Sequence, residues 1–330
     1  MKSTHSNISI FVPHIGCPNM CSFCNQRYIT GAKIAPHPSE VDDAVKIAIS
    51  SKNYDATKTE IAFFGGSFTA INRIYMTDLL KTAYKYVENG TVSGIRISTR
   101  PDAIDDQILE LLRQYGVTSI ELGAQSLDDN VLRMNNRGHS VLDVINSSKL
   151  IKNYGFSLGL QMMTGLYGDT DEKAIKTAEK IIDIKPETVR IYPTIVLKDT
   201  DLQALYLDNK YKPQTLEDAV ILCSKLYKMF TANSVRVIRL GLHTIDDGAY
   251  IAGPWHPAFS EMCQSRIFFE NVLPLLKEKG KYNIYVANNS VSKMIGQNRS
   301  NINELLRLGF DCKVLPDISL NDFELYTERR

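Results

Sequence analysis

Down the first 240 residues, short β-rich apolar runs take turns with helical patterns, and this alternation constrains the fold more than any single motif. The runs are ISIFV (8–12), EIAFF (60–64), GIRIS (94–98), VTSIELG (117–123), FSLGLQMM (156–163), TVRIYP (188–193) and SVRVIRLGL (234–242). Between them, Ser39 with Asp42 opens one helical stretch in the manner of a capping box, and Thr215 with Asp218 opens another. Thr170 is placed to cap DEKAIKTAEKIIDI, and Gly155 follows VLDVINSSKLIKNY where a helix end favours a left-handed residue. Strand–helix alternation at this spacing predicts an α/β fold of parallel strands with crossover helices. Six or seven such units make a barrel or part of one, whose functional residues belong at the C-terminal ends of the strands.

Charge excludes little but removes one easy reading. Lys and Arg total 38 against 37 acidic residues, so a polyanion would have to be met by a local patch. The only apolar run near the N-terminus, Ile8 to Val12, is too short for a signal-peptide core, and no 18-residue apolar stretch occurs. The expectation is a cytoplasmic protein with no membrane partner.

Three of the six cysteines, Cys17, Cys21 and Cys24, fall within eight residues in GCPNMCSFC, just past the first strand run. A disulfide framework suits short secreted chains, so this cluster reads as metal-binding. Structural zinc would complete its shell with a histidine such as His14 or His37. An iron–sulfur cube on three thiolates leaves one iron open to a ligand. Zinc sites usually pair two short ligand clusters, and no second cluster is visible, which favours the cube. Of the remaining cysteines, Cys223 shares a helix face with Ala219, Leu226 and Phe230 and reads as core, and Cys263 is either a second-site thiol or a buried small group.

With Cx3Cx2C after strand one, Phe23 before the last cysteine, and FFGGSF (63–68) after strand two, the chain resembles the radical S-adenosylmethionine (SAM) superfamily. The resemblance implies a partial (β/α)6-type barrel and a 4Fe-4S cluster on Cys17, Cys21 and Cys24. It implies that SAM binds the open iron and is cleaved reductively to a 5′-deoxyadenosyl radical, with a flavodoxin- or ferredoxin-type electron donor. Gly65, Gly66 and Ser67 would admit the methionine amino group, because glycine leaves bare backbone. ISTRPD (97–102), IELGAQSLDDNVLRMNNRGH (120–139), GLQMMTGLYGDT (159–170), VRIYPTIVLKDTDL (189–202) and YKPQTLEDAV (211–220) are similar to the catalytic subunit of Elongator, which modifies wobble uridines of tRNA. By that resemblance Thr99, Gln125, Arg137 and Tyr192 line the SAM and substrate cavity. The short first cysteine gap instead resembles oxygen-independent coproporphyrinogen oxidase, although Gln26 and Arg27 stand where an aromatic is expected. The Elongator subunit also carries an acetyltransferase domain for which these 330 residues leave no room, so the expectation is another acyl donor or none.

The expected organisation is a barrel over 1–240, a connector over 241–275 packing on its mouth, and a small α/β unit over 276–330. The last segment, YNIYVANNSVSKMIGQNRSNINELLRLGFDCKVLP (282–316), reads strand, short helix, loop, amphipathic helix, strand, and is similar to the core of a KH RNA-binding domain. Gly296 matches the first glycine of its GxxG loop and Arg299 replaces the second. Lys293, Gly296, Gln297 and Arg299 are the candidate RNA contacts. Residues 241–330 hold ten basic and eleven acidic side chains, so any RNA contact there must be local. The expected function is radical modification of a tRNA or other RNA base, uridine favoured. A radical enzyme on a small molecule such as a tetrapyrrole is the alternative, and a zinc-stabilised nucleic-acid-binding protein is the alternative outside enzymes.

Overall fold

The computed structural model describes residues 5–12, 17, 20–25, 28, 34–242 and 248–330. His14, Gln26 and Arg27 lie outside the described residues. Seven parallel strands form one sheet in the order β1 (Ser6–Val12), β2 (Thr59–Gly65), β3 (Gly94–Thr99), β4 (Val117–Gln125), β5 (Ser157–Thr164), β6 (Thr188–Pro193) and β8 (Arg236–Leu240). The two-residue strand β7 (Val196–Leu197) belongs to a separate ribbon with β9 (Tyr250–Ala252). Each expected strand is present, the last shorter than its apolar run.

One face of the sheet is apolar because alternate residues on each strand are Ile, Leu, Val or Phe. Ile8, Ile10, Ile61, Phe63, Ile95, Ile97, Ile120, Leu122, Leu158, Leu160, Val189 and Ile191 all lie in one buried core. Helices α1 (Pro38–Ile49), α2 (Arg73–Glu88), α3 (Asp106–Gln114), α5 (Val141–Asn153), α6 (Asp171–Ile184) and α8 (Leu216–Ala232) cover that face, with the short α4 (Asp129–Met134) preceding α5 and α7 (Asp201–Leu207) preceding α8. Full burial of each such side chain contributes roughly 1.5–3 kcal/mol. Thr170 and Thr215 cap α6 and α8 as the sequence indicates, and Gly155 takes φ +83° after α5. The α1 cap differs: His37, not Ser39, accepts from the backbone, and Glu40 returns the bond to the His37 amide. Pro38 at the first helical position shifts the start two residues earlier.

The sheet is curled. Strands two and six would stand about 19 Å apart in a flat sheet, yet the Arg190 guanidinium on β6 lies 5.3 Å from the Phe64 ring on β2. Among the described residues no strand pairs with the outer edge of β1 or β8, so the barrel they form is partial and open on one side.

Helix α9 (Phe259–Val272) joins the half-barrel to the C-terminal unit. Its first half, Phe259 and Cys263, packs into the barrel core, and its second half, Phe268 and Val272, into a second core. That second core lies under β10 (Gly280–Val286), β11 (Phe310–Pro316) and β12 (Leu325–Arg329), with α10 (Val291–Ile295) and α11 (Ser300–Arg307). β10 is central, parallel to β11 and antiparallel to β12. The strand–helix–loop–helix–strand order matches the sequence reading.

Candidate active site at the mouth of the half-barrel

The cysteine loop leaves the C-terminal end of β1 and is held from three sides. Ser22 donates its backbone N–H and its hydroxyl to Asn135, at 3.2 and 2.8 Å, and accepts from the Leu202 amide at 2.7 Å. Asn25 donates to the Lys198 carbonyl at 3.2 Å. Asn135 is fully buried, and its side-chain amide donates to Val131 and Tyr167 carbonyls while its oxygen accepts from the Tyr167 amide. Phe23 packs with Val196, Leu202 and Tyr211. Trp255 joins Tyr28, Ile195 and Leu197 in a small cluster beside it, so the connector reaches the barrel mouth.

Cys17, Cys21 and Cys24 lie within electrostatic reach of one another. Burial raises the Cys17 and Cys24 thiols, Cys24 to about 12, and the neighbouring cysteines raise them further. Arg137 opposes both shifts, and its guanidinium donates to the Cys21 sulfur at 3.1 Å and to the Gly123 carbonyl at 2.7 Å. Two thiols held protonated by burial and by their neighbours call for a strongly positive partner. The donor set, three sulfurs spread over one loop with an arginine behind, fits the wider iron–sulfur cube. His37 is exposed and spent on the α1 cap.

Gly65 ends β2 at φ +108°, and a Cβ there would sit 2.8 Å from the Val12 carbonyl oxygen. The Gly66 amide donates to that same oxygen at 2.7 Å, so the glycine turn is pinned to the strand from which the cysteine loop departs. Only glycine meets both demands. Ser67 and Thr99 share a 2.9 Å hydroxyl contact, Thr69 and Thr99 one of 2.6 Å, and Ser67 accepts from the Arg100 amide at 3.1 Å. The Ser67 backbone and Arg100 both act on the Cys17 thiol, which places this turn beside the cysteines. Gln125, at φ +63° beyond a bulge, stands next to Arg137 above Gly123 and keeps a buried Oε1 with no hydrogen-bond partner among the described residues.

The structure thus brings Cys17, Cys21, Cys24, Ser67, Thr99, Gln125 and Arg137 to one rim. Tyr192 lies with the inner-face arginines, its hydroxyl 3.5 Å from Arg190 and raised in pKa chiefly by burial. Lys293, Gly296, Gln297 and Arg299 belong to the C-terminal unit. There Gly296 is buried at φ +82°, where a Cβ would meet Ser300 Oγ at 2.4 Å, while Gln297, Asn298 and Arg299 are exposed. Arg299 takes φ +61°, the left-handed conformation that the missing glycine would supply, and Lys293 lies 5.8 Å over the Phe323 ring.

The polar chain on the inner face of the half-barrel is not singled out by the motifs. Glu60 pairs with Arg96 at 3.0 Å, Arg96 approaches Glu121 at 3.8 Å, and Glu121 pairs with Arg190 at 2.6 Å and accepts from Gln161 at 2.5 Å. The signal was present in the strands, where Arg96, Glu121 and Arg190 alternate with isoleucines and leucines. Asn135 offers no such pattern, because its partners are distant in sequence.

The Radical SAM superfamily pattern matches residues 11–181, and its Radical SAM C-terminal domain matches residues 186–268. A tRNA uridine(34) acetyltransferase of Dehalococcoides mccartyi is 25% identical over 240 residues, covering 62% of this chain and 52% of that protein. Human Elongator complex protein 3 is 30% identical over 193 residues, covering 52% of this chain and 35% of that protein. The chain therefore spans about half or less of the length of these curated relatives. The solved Methanocaldococcus infernus Elp3 superposes with a TM-score of 0.68 at 22% identity, over 82% of this chain and 64% of that one, which shows a shared fold.

Proposed function

The chain belongs to the radical SAM superfamily, and from that premise we propose that it is a tRNA-modifying enzyme acting on a uridine base. A 4Fe-4S cluster held by Cys17, Cys21 and Cys24 would supply the electron that splits the sulfonium of bound SAM. A flavodoxin- or ferredoxin-type protein is the fitting electron source.

The chain's own residues then bind and orient. Arg137, against Cys21, balances the negative charge of thiolate ligands and fixes the loop to the end of β4. The amino group of SAM is a hydrogen-bond donor, and the Gly65–Gly66 turn offers it carbonyl oxygens with no side chain in the way. Gln125 Oε1 is an acceptor in want of a donor, a cost of roughly 1–3 kcal/mol that a ligand N–H or O–H relieves. The Ser67–Thr69–Thr99 hydroxyls hold the turn in place. Asn135, Leu202 and Lys198 fix the loop that carries the cysteines, which keeps the reacting atoms aligned.

The RNA assignment draws on the tRNA-modifying relatives and on one observation that carries it furthest: Arg299 holds the glycine-like conformation at the end of a loop whose residues 297–299 are exposed. That conformation presents the 297–299 backbone to a phosphate as a KH loop does. Ser265, bonded to Asn301 of α11, lies six residues into α9, about 9 Å from the end of that helix at the barrel mouth. The start of α11 is therefore tied to the helix whose first half packs into the barrel core.

The test is mass spectrometry of nucleosides from tRNA incubated with anaerobically reconstituted enzyme, SAM and reductant. A new uridine derivative with concurrent 5′-deoxyadenosine is the expected result. 5′-Deoxyadenosine with unaltered tRNA would leave the radical chemistry and remove the substrate.

A further inference from the structure

Among the described residues, the inner face of the half-barrel carries an arginine that no carboxylate answers. Glu60 and Glu121 pair with Arg96 and Arg190 in an alternating row from β2 to β6. Arg239 follows on β8, in register beside Arg190 and on the same face. Its guanidinium donates to the Gly241 and Leu242 carbonyls, at 3.0 and 2.7 Å, and meets no carboxylate among the described residues. Arg190 and burial both disfavour its charge, and only Tyr192 favours it. Two guanidiniums thus sit side by side at the open edge of a partial barrel. Beneath Arg190 lies the Phe64 ring, with Phe11 of the opposite edge strand 6.3 Å from it and 40% exposed. Phe64 directly precedes the glycine turn of the SAM site, so whatever occupies this corner lies next to the reaction centre.

We propose that Arg190 and Arg239 form an oxyanion subsite at the open side of the half-barrel, with Tyr192 beside them, which holds the substrate next to the SAM site. Paired guanidiniums bind phosphate and carboxylate through parallel N–H donors, and an anion between them removes their mutual repulsion. The exposed Phe11 face and Phe64 offer a stacking surface to a planar ring on the same ligand. Phosphate, flanking a nucleotide, is the source that agrees with the proposed RNA substrate. Only that identification rests on the functional reading, because a carboxylate substrate would use the same pair.

The test uses the full-length reconstituted protein and a uridine trinucleotide, with one linkage as phosphate or as uncharged methylphosphonate. In the parent, neutralising the linkage should weaken binding about tenfold or more. In Arg239→Gln, which has already lost the partner, the same change should cost less than about twofold, a coupling read as in a double-mutant cycle. Arg239→Lys, which keeps the charge but loses the planar fork, should fall between the parent and Arg239→Gln, which separates charge from geometry. It also keeps the test open if the glutamine variant folds poorly. Arg236→Gln, exposed at the far end of β8, should behave as the parent. An equal methylphosphonate penalty in parent and Arg239→Gln would overturn the subsite. So would a loss of SAM affinity in Arg239→Gln as large as the loss of trinucleotide affinity, since the pair would then hold the carboxylate of SAM. Arg239-dependent binding of coproporphyrin, with neither trinucleotide bound, would uphold the oxyanion subsite and defeat the RNA reading.

Discussion

The two sheets of this protein obey the same α/β logic and end with opposite inner economies. In the half-barrel, one face is packed by helices while the other holds buried polar atoms with no hydrogen-bond partner among the described residues, such as Ser98 Oγ, Glu121 Oε2, Gln125 Oε1 and Thr188 Oγ1. In the C-terminal sheet the corresponding set among the described residues is a single atom, Asn283 Oδ1. Its core is instead filled by Phe268, Tyr282, Ile284, Val286, Met294 and Leu305. Orphaned buried polar atoms cost stability, so their concentration on one surface marks where ligand groups belong. The half-barrel has the inner face of a chamber, and the C-terminal sheet is a filled platform that carries exposed residues at 297–299.

The sharpest way to break that contrast is at sulfur. Cys21→Ser should abolish iron–sulfur absorption and SAM cleavage, whereas Cys312→Ser, in the C-terminal sheet, should preserve both after anaerobic reconstitution. Full iron content in the Cys21 variant would mean that the loop is not the cluster site.

A smaller effect should appear in stability against pH. Burial lifts the Asp169 carboxyl, on the rim loop after β5, to about 7, against N–H donors from Thr170 and Gly165. A carboxyl raised on folding favours the protonated native state. Its contribution is therefore complete below the unfolded value of 3.8 and is lost as pH rises through about 7. Asp169→Asn should raise Tm by about 2–4 °C per kcal/mol recovered above pH 7 and give nothing at pH 4. In the C-terminal unit Glu304, Asp317 and Glu324 are shifted the other way, by hydrogen bonds. A Tm gain equal at both pH values would show that Asp169 carries no such cost.

The barrel strands were legible because period-two alternation and chain spacing dictate a parallel sheet, and the cysteine loop because its position after β1 follows from that sheet. The α1 cap was not, because Pro38 moved the helix start ahead of the Ser39 signal. Asn135 was not either, because Ser22 and Tyr167 lie 113 and 32 residues from it in sequence; the Glu60–Arg96–Glu121–Arg190 row was legible only as polar residues alternating with apolar ones, and its pairing from strand to strand is set by the sheet. Arg299 was legible as a departure from GxxG, but its left-handed backbone, which keeps the loop shape without the glycine, is visible only in the structure.

The division between chamber and platform is tested most directly by tRNA binding across a salt series, comparing the parent with a Lys293→Glu/Arg299→Glu protein. If the loop meets the phosphate backbone, the double variant should bind about tenfold or more weakly at low salt. The slope of log affinity on log salt should flatten by roughly one to two ions released. Equal affinity and equal slope in the two proteins would contradict the account, leaving the C-terminal sheet as a structural cap on the barrel.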